Sequence, residues 1–256
     1  SDFMPRDEYL EVLTYALDRN GQRLPLRTIM DNVPRLADLH CRGPQTRRVR
    51  RAIREFGPDV IVSDSEPWTH AAGRAMDIPR ISFDHFAVLA YCDWPMTRAE
   101  RLECDFESFA YKALMGRADR MVVASFYCPP PRIEGLTLVG PVLRQAVYDM
   151  PPAEGDYLLV YLSRGEHHYT PAVEQALRAA PCPVKIYGAG ERPPAGSLTF
   201  RPLGNLPFLR DLAGCRAVFA TAGNQLISES LYYRKPLLVM PEDALEQRLN
   251  AATIER

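Results

Sequence analysis

The chain has 256 residues, with 31 Lys plus Arg against 32 Asp plus Glu and a formal net charge of −1. That balance gives no electrostatic case for a nucleic-acid partner, and no apolar run reaches the roughly 18 residues that a membrane-spanning helix needs. Six cysteines, Cys41, Cys92, Cys104, Cys128, Cys182 and Cys215, are scattered without a CxxC pair, which suits reduced structural thiols in a cytoplasmic protein. The length fits one large domain or two small ones. The opening SDFMPRDEYL reads as a tag remnant before Met4 or as a fragment boundary.

In chain order, Arg47, Arg48, Arg50, Arg51 and Arg54 alternate with Val49, Ala52, Ile53 and Phe56, which predicts an amphipathic helix with a basic face. DVIVSD (residues 59–64) predicts a strand, THAAGRAM (69–76) a helix, PRISFDH (79–85) a strand, residues 98–115 a helix and ADRMVVAS (118–125) a strand. This β-α-β-α-β alternation is the signature of a parallel sheet, with Asp64, Asp84 and Ser125 at one edge. Residues 128–156 are rich in proline and poor in helix signals and read as an interdomain connection. A second α/β series follows. YLLVYLS (157–163), PVKIYGA (183–189), SLTFRPL (197–203) and RAVFATAG (216–223) predict strands, and TPAVEQALRAA (170–180) and LPFLRDLAGC (206–215) predict helices. The expected organisation is two α/β domains, residues 1–140 and 141–256, with a cleft between them.

The stretch TAGNQLISESLYYRKPLLVMPEDALEQRLNA (221–251) carries the most chemistry. A strand ends at Gly223 and a helix begins at once, so free N–H groups and the positive end of a dipole are available to a phosphate. Glu229, flanked by Ser228 and Ser230, suits a ribose, whose vicinal hydroxyls a carboxylate can accept. KPLLVMP (235–241) reads as a buried strand that delivers Glu242, Asp243, Glu246 and Gln247 to the sheet edge, where carboxylate and carboxamide suit sugar hydroxyls. Singly, each feature is ordinary for an α/β protein; the ordered combination is not.

That combination, in Gly223, Ser228, Glu229, Leu231, Pro236, Pro241, Glu246, Gln247, Asn250 and Ala251, resembles the nucleotide-sugar signature of GT-B glycosyltransferases. It is most similar to the branch of UDP-N-acetylglucosamine transferases and their uncharacterised UDP-glycosyltransferase-like relatives. The resemblance implies two Rossmann-like domains, ribose at Glu229, donor sugar at Glu246 and Gln247, and diphosphate at Gly223 with Thr221, Asn224, Gln225 and Ser228 nearby. Plant and animal relatives carry His where Thr221 stands, which weakens one diphosphate contact. LVYLSRGEHH (159–168) resembles the first strand and loop of the donor domain, placing Ser163, Arg164 and Gly165 at the phosphates, and the backbone of residues 203–205 resembles a uracil cradle. Arg164 could neutralise the leaving diphosphate; a solvated arginine is the equal alternative.

Ser63, Asp64, Glu66 and Pro67 resemble the acceptor domain of the same group. An inverting transfer needs a base for the acceptor hydroxyl, and Asp64, Glu66 and His85 are the candidates; for His70, helix packing is the better account. Relatives with lipid-linked acceptors dock on anionic membrane, so Arg47, Arg50, Arg51 and Arg54 would suit peripheral contact, with a solvated surface helix the plainer account. The first strand with its Gly-rich turn and the segment following ATIER in relatives are expected to lie outside this chain. The function expected is inverting transfer of a hexose or N-acetylhexosamine from a UDP-sugar to a hydroxyl acceptor, without a metal, since no DxD-type element ends a strand. The alternatives are a UDP-sugar epimerase of the same fold and a nucleotide-sugar-binding subunit that needs a partner.

Overall fold

A computed structural model of the chain describes residues 12–16, 18 and 24–255; the stretch SDFMPRDEYL lies outside them. The elements run α1 (Pro25–Cys41), α2 (Pro44–Phe56), β1 (Ile61–Ser63), α3 (Pro67–Met76), β2 (Arg80–Asp84), α4 (Ala87–Tyr91), α5 (Arg98–Met115), β3 (Arg120–Ala124) and β4 (Leu136–Val139). Then come α6 (Gln145–Tyr148), β5 (Leu158–Tyr161), α7 (Pro171–Arg178), β6 (Val184–Tyr187), β7 (Leu198–Arg201), α8 (Asn205–Gly214), β8 (Ala217–Ala220), α9 (Asn224–Tyr232), β9 (Leu237–Val239) and α10 (Leu245–Ile254). Local chemistry sets the boundaries. Thr97 and Glu100 form a reciprocal capping box at the start of α5, and Gly57 ends α2 in the left-handed region at φ 64°.

Two parallel sheets result. The first has the order β1-β2-β3-β4 and the second β7-β6-β5-β8-β9. Val88, Leu89 and Val123 fill the first core, and Leu159, Val160, Val184, Ile186 and Val218 are fully buried in and around the second sheet. The last helix belongs to both. Leu245 and Leu249 of α10 pack in the first core with Val88, Leu89 and Val123, while Ala251 packs with Ala222 and Ile227 beside the second sheet. Burying one leucine side chain contributes about 2 kcal/mol, so α10 is a strong joint.

Three expectations need correction. Residues 128–156 are not only a connection: Leu136–Val139 is the fourth strand of the first sheet, pairing in parallel with β3, and Gln145–Tyr148 is a helix whose Val147 is fully buried in the second core. Proline-rich flanks masked a four-residue strand that only pairing with β3 stabilises. KPLLVMP is an edge strand, not a buried one: β9 pairs with β8 alone, and Leu238 is 67% exposed. Glu246 and Gln247, expected at the sheet edge, stand in the first turn of α10.

Candidate active site

The second sheet reverses direction of growth between β5 and β8. From β5 the chain adds β6 and β7 on one side, then returns to add β8 and β9 on the other. Such a switch point opens a crevice at the carboxyl ends of the strands. The loops leaving those two strands carry Ser163, Arg164 and Gly165 on one side and Thr221, Gly223, Asn224 and Gln225 on the other, so the topology brings the two expected phosphate segments together.

Gly223 is the N-cap of α9 at φ −74°, ψ 135°, with no side-chain cap on the helix. A Cβ added there would meet nothing within 4 Å. Gly188, by contrast, sits at φ +86°, and a Cβ there would lie 2.1 Å from the Leu162 carbonyl oxygen. The backbone therefore requires glycine at 188 and not at 223. Next to Gly223, the buried Oδ1 of Asn224 has no hydrogen-bond partner among the described residues. Thr221 and Ser228 are buried, and the Ser228 hydroxyl donates to the Asn224 carbonyl at 2.6 Å, one turn back.

Two arginine–carboxylate pairs flank this helix start. Arg144, from the connector, donates through Nε and Nη2 to the two oxygens of Glu229 at 2.8 and 2.7 Å. Gln225 adds a third donor at 2.8 Å, and the Glu229 side chain is 1% exposed. The carboxylate expected to face a ribose is closed behind Arg144. Across the crevice, Arg164 Nε lies 2.5 Å from Glu242 Oε2. Ser163 donates to the other Glu242 oxygen, and the Glu242 N–H donates to Gln247 Oε1 at 3.0 Å.

At the edge of the first sheet, His85 follows β2. Its Nδ1 lies 2.9 Å from the Ala124 carbonyl oxygen. A carbonyl only accepts, so Nδ1 carries the proton and the neutral ring has its lone pair on Nε2. Nε2 lies 3.4 Å from Glu246 Oε1, an oxygen that accepts from Asn250 Nδ2 at 3.1 Å. The two sheets thus meet at a His–Glu contact, with Tyr127 donating to Asn250 Oδ1 at 3.3 Å beside it. Arg248 of α10 and Glu103 of α5 form an ion pair at the same seam.

The other base candidates divide. Both oxygens of Glu66 are engaged as the N-cap of α3, accepting from the N–H groups of Trp68 at 2.9 Å and Thr69 at 2.7 Å, so Glu66 is a helix cap and not a free base. Asp64 lies beyond β1 with no such N–H partners among the described residues, and burial of its carboxyl together with the Asp84 charge raises its pKa. Asp84 itself is buried and saturated by Ser82, Tyr111 and the Ala87 N–H. His70 is fully buried, and burial, then Arg80 and Arg74, lower its pKa to about 4. Arg47, Arg48, Arg51 and Arg54 are exposed on α2, whose Thr46 and Val49 face inward. No helix among the described residues is long and apolar enough to cross a membrane.

Sequence reasoning missed Arg144 and Tyr127. Arg144 sits in a proline-rich connector and meets its partner 85 residues away, so no local period marks it.

Known structures share this architecture. They include the glycotransferase of kitacinnamycin (TM-score 0.57, 19% identity, covering 96% of this chain and 71% of that one). Arabidopsis thaliana UGT89C1 complexed with UDP-L-rhamnose is similar (0.57, 20%, 90% and 63%), as is Phytolacca americana UGT2 complexed with UDP-2fluoro-glucose and pterostilbene (0.55, 16%, 82% and 63%). The chain spans about two thirds of their length, and at these identities the likeness establishes the two-domain GT-B fold. No curated protein matches the chain. Residues 11–256 match the family model for glycosyl transferase family 1, and with its parallel sheets meeting at α10 the chain belongs to that family.

Proposed function

We propose that the chain transfers a hexose or N-acetylhexosamine from a UDP-sugar to a hydroxyl acceptor, with inversion at the anomeric carbon. Gly223 carries the reading. The fold has room for a side chain there, and what its absence leaves is an unobstructed approach to the uncapped N–H groups of α9 at a topological switch point. UDP-L-rhamnose in UGT89C1 supports a nucleotide-sugar donor for this fold.

In this scheme the diphosphate lies at Gly223 and Asn224, with Arg164 released from Glu242 to meet it, and no metal ion is invoked. Glu246 and Gln247, at the start of α10, lie nearest the donor sugar. His85 Nε2 accepts the proton of the acceptor hydroxyl as that oxygen bonds to the anomeric carbon and the bond to the diphosphate breaks. UDP departs with the electron pair, and Glu246 at 3.4 Å stabilises the imidazolium that forms.

Calorimetric titration with UDP tests the reading. Gly223→Val should keep the native melting temperature and lose UDP binding at least tenfold, about 1.4 kcal/mol. Unchanged affinity in a folded Gly223→Val chain would sink it. A second reading, nucleotide-sugar binding without turnover, is favoured by the closure of His85 Nε2 against Glu246. UDP binding with no UDP release from any UDP-sugar would select it.

A further inference from the structure

We infer that Arg144 is a specificity-determining residue for the nucleobase and that Glu229 is the positioning residue that holds it. The inference rests on the nucleotide-sugar reading above.

Arg144 bridges two places on the second domain. Nε and Nη2 are fixed on Glu229. Nη1 donates to Asn205 Oδ1 at the first residue of α8. Asn205 closes the stretch 203–205 that resembles a base cradle, and Leu203 and Leu206 beside it are 71% and 57% exposed. Exposure divides the pair: the Glu229 side chain is 1% exposed and that of Arg144 is 37% exposed. The group that faces solvent between base cradle and helix start is therefore a guanidinium, with the carboxylate behind it.

A guanidinium has donors only. Three of its N–H groups are used by Glu229 and Asn205, and one on each terminal nitrogen has no partner among the described residues. These two donors can meet acceptor oxygens and oppose amino groups. Where they meet the position-4 edge of a pyrimidine, they select a carbonyl, as in uracil and thymine, against the amino group of cytosine. Rigidity makes the discrimination effective. A bidentate pair with a buried carboxylate holds the guanidinium plane, and leaving a fixed donor unpaired or opposed by another donor is costly. Lysine would keep the charge and lose the planar fork.

Calorimetric titration of the chain with UDP, TDP and CDP tests this. The native chain should bind UDP and TDP about tenfold or more tighter than CDP, as expected of one good directional contact. Arg144→Lys should bring UDP and CDP within about twofold of each other, by weakening UDP and not CDP. Glu229→Gln, which keeps the side-chain shape and removes the charge that orients the guanidinium, should narrow the preference in the same direction. Arg144→Lys that weakens UDP and CDP by the same factor would make Arg144 structural and overturn the inference. Tighter UDP binding in Arg144→Lys would make it an internal occupant of the site and overturn it as well. A native chain that binds the three nucleotides equally overturns this inference and leaves the UDP-sugar reading standing. A native chain that binds none of them removes both.

Discussion

His85 and Glu246 meet across the two domains, with Nε2 of the histidine 3.4 Å from Oε1 of the glutamate. One ends a strand of the first sheet and the other opens the last helix, so their contact exists only when the domains are together. The same two side chains were expected in separate roles, as base and as sugar ligand. In the proposed scheme their contact makes the base dependent on the residue nearest the donor.

His85→Ala should lower turnover of a UDP-sugar by about 10²- to 10⁴-fold, the usual worth of a general base, with the UDP dissociation constant within twofold of native. Steady-state kinetics beside calorimetry separates the two quantities. Native turnover in His85→Ala would remove His85 from the chemistry and leave Asp64 as the candidate.

Glu66→Ala should lower stability by about 0.5–2 kcal/mol, because it deletes an N-cap, and should leave the turnover number unchanged. Urea unfolding measures the first and a saturating-substrate assay the second. A large fall in turnover with an unchanged unfolding midpoint would restore Glu66 as a base.

His70 predicts an acid limit to stability. Its pKa is lowered in the fold from 6.5 to about 4 by burial. Protonation therefore favours the unfolded chain. The contribution is complete above pH 6.5 and declines as pH falls toward 4, by up to about 3 kcal/mol. His70→Leu should flatten this part of the urea-midpoint profile. A slope between pH 6.5 and 4 that persists unchanged in His70→Leu would assign the acid sensitivity to other groups.

Leu249→Ala should cost about 2–5 kcal/mol, since it opens a cavity in the first core at the point where α10 enters it. Amide exchange should quicken first in α10. A loss below about 0.5 kcal/mol would show that α10 is only loosely seated.

The parts legible in the sequence were those governed by near neighbours. The bounds of α5 follow from the Thr97–Glu100 box and Gly116. The pairing of the 163–165 loop with Gly223 follows from strand order, once a parallel sheet is assumed. What stayed hidden depends on residues far apart. Leu136–Val139 is a strand because β3 lies beside it. Leu238 is exposed because nothing pairs beyond β9 among the described residues. Glu229 was expected as a ribose ligand, but its partner lies 85 residues earlier, and only the fold shows which of the two faces outward.

The contrast between Gly188 and Gly223 separates two kinds of selection. At position 188 any other residue collides with the Leu162 carbonyl, so folding itself preserves the glycine. At position 223 the fold accepts a side chain, so only a ligand can preserve it. A lineage that gave up its donor would drift at 223 and stay fixed at 188. Comparing those two columns among descendants of this chain would read out which of them still work.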